Sequence, residues 1–206
     1  MISIYGATDK LMLKQMLDEA AVGYYGTAIS VCNVWVFVLG AIIDSFAPVI
    51  MQWHSENQRA FEKKCRQLYA IVFYLSVFVS LLLLTFGSFA IRTLYGEAYM
   101  GAVAPLKIVT WYTAFSYLGV ARDSWIVCEQ KQKYLKYLYA GAAATNVVFN
   151  ALLIPVCGAS GAAMASLITQ FSTILVFPAL IKELRPNVKL MLEAMRLKGV
   201  SGNDWR

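Results

Sequence analysis

Histidine is almost missing from this sequence: of 206 residues only His54 carries an imidazole. The four cysteines, Cys32, Cys65, Cys128 and Cys157, stand far apart, without the spacing of metal ligands, a redox pair or a disulfide framework. No G-x-S-x-G elbow, P-loop or His/Glu metal motif occurs anywhere in the chain. These gaps leave no support for a hydrolase or an ATP-driven pump, and no catalytic residue, cofactor or metal site is expected. Charge is scarce too, at 15% of residues against 59% apolar, with a mean hydropathy of +0.58. A soluble domain of this length cannot bury so much apolar surface in one core.

What is present is a set of long apolar runs, free of charge over 24–43, 67–91 and 137–181. A soluble helix would show a charged face every turn or two. A helix rises about 1.5 Å per residue and the hydrocarbon core is about 30 Å thick, so roughly 20 apolar residues make one crossing. The 137–181 run is therefore two helices, with Pro155, Gly158, Ser160 and Gly161 placed for a tight turn between them. The expected spans are 27–50, 69–92, 102–121, 135–156 and 160–181. The fold class is all-α: a polytopic membrane protein of about five full transmembrane helices preceded by a shortened one.

Basic residues set the expected orientation. Arg59, Lys63, Lys64 and Arg66 occupy the first connection, and Arg122, Lys131, Lys133 and Lys136 the third. Lys182, Arg185, Lys189, Arg196, Lys198 and Arg206 fill the tail. The alternate connections hold only Arg92. Short basic loops stay on the cytoplasmic side during insertion, so a cytoplasmic C-terminus is expected. The net charge of +6 then reads as attraction to anionic membrane lipid, and nucleic acid is not an expected partner.

The chain divides into 1–23, a helix remnant and amphipathic outer segment, 24–181, a five-helix lobe, and 182–206, a basic cytoplasmic tail. In the first, Leu11, Met12, Met16 and Leu17 share one face and Lys10, Lys14, Asp18 and Glu19 lie elsewhere. It does not have the basic region and apolar stretch of a signal peptide.

Three local patterns carry a family resemblance. The first is Asp9-Lys10-Leu11-Met12-Leu13, then Val22-Gly23-Tyr24-Tyr25-Gly26-Thr27-Ala28 and a span ending at Pro48. The second is Leu94-Tyr95-Gly96-Glu97-Ala98-Tyr99, followed by Ala102 and Leu106. The third is Asn146 and Asn150, then Leu153-Ile154-Pro155 and Gly158-Ala159-Ser160-Gly161-Ala162-Ala163. In order and spacing they resemble the second half of the bacterial O-antigen or polysaccharide-repeat flippases, within the multidrug/oligosaccharidyl-lipid/polysaccharide exporter superfamily.

The resemblance implies one lobe of a two-lobe inner-membrane transporter that moves an undecaprenyl-diphosphate-linked sugar repeat between leaflets without making or breaking a bond. The implied partners are the lipid-linked oligosaccharide, membrane lipids, a missing N-terminal lobe or a second copy, and glycan-polymerisation proteins. Candidate substrate-binding residues are the polar groups inside or at the ends of spans: Lys107, Asp44, Arg122, Asn146 and Asn150, with Asn33 and Gln170 behind them. The Lys107 stem is also long enough to snorkel to the headgroups. Asn146 and Asn150, four apart, share a helix face suited to interhelix hydrogen bonds. A drug/cation antiporter of the same superfamily is the runner-up reading, and a non-transporting scaffold for glycan assembly is the third. A membrane-bound glycan polymerase or ligase fits less well, because the outer connections are short.

Overall fold

The computed structural model describes residues 2–200, with side chains from residue 7 onward; Arg206, counted above with the basic tail, lies outside them. Every regular element among the described residues is helical. Helix α1 spans Ile2–Met16, α2 Glu19–Glu56, α3 Gln58–Tyr95 and α4 Val103–Cys128. Helix α5, Leu135–Phe171, runs into a π-helical segment, Ser172–Val176, and the short α6, Phe177–Leu180. The last element, α7, covers Arg185–Met195.

Three stretches are long and apolar enough to cross a membrane: α2, α3 and Gln132–Leu180. The third, 49 residues long, is not one straight rod. At Gly158 the backbone takes φ 59° and ψ −136°, outside the helical region. A Cβ placed on Gly161 would lie 2.2 Å from the Leu153 carbonyl oxygen, and one on Gly141 would lie 3.0 Å from the Phe177 ring. Pairs 153/161 and 141/177 are centred on the same few residues, the signature of two antiparallel arms. The expected spans at 135–156 and 160–181 correspond to these arms, and Gly158 supplies the positive φ that other residues adopt only with strain.

Helix α4 is long enough to cross but less apolar, and it sits in the middle of the bundle, packed on α2, α3 and α5. Its Thr110, Thr113 and Ser116 are buried, and Ser80 of α3 donates to the Thr110 carbonyl at 3.1 Å. Small hydroxyl residues allow such close approach in membrane helices.

The turns are economical. Asp18 caps α2 by accepting from the Ala21 N–H at 2.8 Å. Asn57 alone joins α2 to α3: its N–H donates to Trp53 and its side chain accepts from the Ala60 N–H at 3.1 Å.

The ends of the elements sort into two groups. At one, Leu17 lies by Gly158 and the Tyr24 ring lies against Gly101. At the other, His54 meets Glu129 at 3.6 Å, Arg66 meets Glu193 at 3.0 Å, and Gln67 reaches the Val200 carbonyl. The three basic segments of the sequence thus gather at one end of the bundle, and the connections poor in basic residues gather at the other. Two hydrophobic clusters follow the same division, one around Phe61, Leu118 and Met191, the other around Leu13, Tyr25 and Ile154.

Candidate functional site

Helix α1 is packed on α5 and α2, and among its described side chains Asp9 and Leu13, one helical turn apart, are buried. Of the apolar face read from the sequence, Leu11, Met16 and Leu17 are exposed, while Met12 is half-buried against the Leu13 and Tyr25 cluster. Asp9 is fully buried, and its carboxylate accepts four hydrogen bonds. One oxygen takes the Tyr25 hydroxyl of α2 and the Ser166 hydroxyl of the second arm of α5, both at 2.5 Å. The other takes Asn146 Nδ2 at 2.9 Å and Asn150 Nδ2 at 2.6 Å, both from the first arm.

This convergence depends on the hairpin. Along a straight helix Asn150 and Ser166 would be roughly 24 Å apart, and one carboxylate could not bind both. Each lies eight residues from Gly158, so antiparallel folding brings them level. Asp9 is seven residues from the end of α1 and Tyr25 six from the start of α2, so these groups start about 10 Å from the same end of the bundle, with Asn146 one turn deeper on the first arm.

All four donors to Asp9 are neutral, and no ion pair to Asp9 forms among the described residues. Leaving a carboxylate unneutralised in low dielectric costs several kcal/mol, while hydrogen bonds to a charged group contribute about 1.5–3 kcal/mol each. The Oδ1 atoms of Asn146 and Asn150 are themselves buried without partners. The site therefore offers one carboxylate, two amide carbonyls and two hydroxyls, an all-oxygen set suited to a hard cation of low charge. Among the described residues no three His, Cys, Asp or Glu side chains converge as they would at a divalent-metal centre.

The other expected residues are not drawn into this cluster. Arg122, 2% exposed, lies inside α4 and not at its end. Its Nη1 donates to the Thr173 carbonyl at 3.0 Å and its Nη2 to Asp123 at 3.2 Å, while Nε is buried without a partner. The Thr173 carbonyl belongs to the π-helical segment, where wider winding frees acceptors from the regular ladder. Lys107 and Asp44 are exposed on the outside of the bundle, and Asn33 lies exposed three turns from Asp44 on the same face of α2. Gln170 is buried.

Sequence reasoning found Asn146 and Asn150 as a pair but missed Asp9, Tyr25 and Ser166 as their partners. A signal was available in an acidic residue one turn before a leucine on the same side of the helix, Asp9 before Leu13, with Lys10 and Lys14 exposed on another face.

A family model described as polysaccharide biosynthesis protein matches residues 1–104, from α1 into the first turn of α4. No curated protein and no solved structure matches the chain. The match contains Asp9, Tyr25 and Asp44 and covers half of the sequence. Taken with the helices long enough to cross a bilayer, it makes this chain a membrane protein that belongs to the polysaccharide biosynthesis proteins.

Proposed function

We propose that the chain is the C-terminal lobe of a flippase that carries undecaprenyl-diphosphate-linked O-antigen or polysaccharide repeats across the bacterial inner membrane, with its C-terminus in the cytoplasm. A hydrated glycan and a diphosphate cannot cross about 30 Å of hydrocarbon unaided. A polar space between two lobes that opens alternately to each side replaces the lost hydration while the polyprenyl tail stays in lipid. A second lobe, from further chain or another copy, covers exposed polar groups such as Asn33 and Asp44 of α2.

The observation that carries this reading is Asp9. A buried carboxylate held by neutral donors on three helices changes its interactions when it takes up or releases a cation, and so links ion occupancy to the packing of α1 on the α5 hairpin. Family membership supports the polysaccharide pathway, and the gathering of basic segments at one end supports the orientation.

The test is complementation in a strain lacking its own flippase. The chain expressed with a six-helix partner lobe restores surface polysaccharide, and Asp9→Asn at matched membrane abundance lowers it at least about tenfold. Full activity of Asp9→Asn would leave the cluster a purely structural device and remove the main support for the proposal. Orientation is checked with cysteines placed singly at Lys64, Lys133, Lys189, Glu97 and Ser160 on a background free of native cysteines. An impermeant thiol reagent added to intact cells should label positions 97 and 160 alone; labelling at 64 and 133 instead would reverse the topology.

A further inference from the structure

At the basic end of the bundle α7 lies along α3 and leaves an open groove of about 720 Å³. Five cationic side chains line it, Arg66, Lys131, Lys182, Arg185 and Lys189, against three carboxylates, Glu62, Glu129 and Glu193. Each carboxylate is already engaged: Glu193 with Arg66 at 3.0 Å, Glu129 with Lys131 at 3.2 Å, and Glu62 with Arg66 at 3.9 Å. Lys182 and Arg185 form no ion pair among the described residues, and the only hydrogen bond of Arg185 runs from Nε to the Ala179 carbonyl, leaving its Nη groups available.

The start of α7, at Arg185 and Pro186, opens on this groove with no side-chain cap and no acidic residue in its first turn, so its dipole adds positive potential. Trp125 and Leu190, 2% and 5% exposed, close the floor of the groove, with Lys131 Nζ 4.5 Å from the indole ring centre.

We propose that this groove binds a phosphate group, presented by a lipid headgroup or by a soluble phosphate, with Lys182 and Arg185 as its principal ligands. Arginine and lysine supply charge-assisted hydrogen bonds to phosphate oxygens. The inference is independent of the Asp9 cluster and of the transport reading, since it concerns the opposite end of the bundle.

The experiment uses the full chain in nanodiscs of phosphatidylcholine with or without phosphatidylglycerol, followed by native mass spectrometry of retained lipid. A parallel calorimetric titration in detergent uses soluble diphosphate. The wild type should retain phosphatidylglycerol over phosphatidylcholine, and the double variant Lys182→Gln, Arg185→Gln should lose that preference about tenfold. The pair Lys182→Arg, Arg185→Lys should keep it, and so should Arg92→Gln at the opposite end. Diphosphate binding that weakens in the double variant, without a lipid preference, identifies a soluble source, and a lipid preference without diphosphate binding identifies a headgroup. Neither lipid preference nor diphosphate binding in the wild type, or unchanged retention and titration in a double variant with normal helical circular dichroism, would overturn the proposal.

Discussion

The two ends of this bundle each bury a charged side chain, and they accommodate it in opposite ways. Near the end poor in basic residues, Asp9 is surrounded by neutral donors from α2 and both arms of α5, and two amide oxygens remain unpartnered beside it. Toward the basic end, Arg122 pairs with Asp123, its neighbour in sequence, and with one backbone carbonyl, while Tyr139 supports Asp123 from α5 at 3.3 Å. The arginine is neutralised locally by a half-exposed carboxylate. The aspartate depends on three other helical segments being in place. Charge that is neutralised locally stabilises one packing, whereas charge that needs distant neutral groups is sensitive to how the helices are arranged.

The sharpest way to break the contrast is to remove both charges in turn. Asp9→Leu leaves four buried donors unpaired at about 1–3 kcal/mol each, so a loss of about 4 kcal/mol or more is expected. It should appear as a large drop in the thermal midpoint of the detergent-solubilised protein, followed by circular dichroism. Next is Gly161→Ala, whose methyl group meets the Leu153 carbonyl oxygen and must spread the hairpin, at about 1–3 kcal/mol. Because the same hairpin aligns Asn150 with Ser166, this variant should also weaken the Asp9 site; a double-mutant cycle with Asp9→Leu should show coupling. Additive losses would separate the turn from the site.

Arg122→Leu frees one carbonyl and a carboxylate that can still meet solvent, so a smaller loss of about 2 kcal/mol is expected. A loss larger than that of Asp9→Leu would invert the comparison. Lys107 should matter least to stability, because its side chain is exposed; Lys107→Gln should shift the midpoint by less than about 0.5 kcal/mol equivalent. Its effect is expected in transport instead, with activity falling from Lys107→Arg to Lys107→Gln to Lys107→Glu when a second lobe is present. Full activity of Lys107→Glu would remove it as a substrate contact.

The helices and the hairpin were readable because each rests on local information. Hydropathy and length located the spans, and Pro155 with Gly158 and Gly161 marked the reversal. The Asn146 and Asn150 pair was readable for the same reason, a four-residue spacing on one helix. Asp9 was not, because its Asn and Ser partners are 137 to 157 positions away, and no periodicity encodes which apolar face meets which. The converse error concerns Lys107 and Asp44. A charge within an apolar run is conspicuous in sequence, yet both lie on the outside of the bundle, where a second lobe or the headgroup layer would receive them. Arg122 stood out equally and proved to be interior, held by a π-helical carbonyl that no sequence pattern announces.

The single-residue link at Asn57 gives the bundle a lever. Helices α2 and α3 each contain 38 residues, roughly 57 Å of rod, and are joined at the basic end with no slack. Each degree of splay about Asn57 would therefore displace the far tips by about 1 Å. A torsional change too small to disturb the Trp53 and Ala60 hydrogen bonds is magnified about 50 Å away, where Tyr25 reaches Asp9.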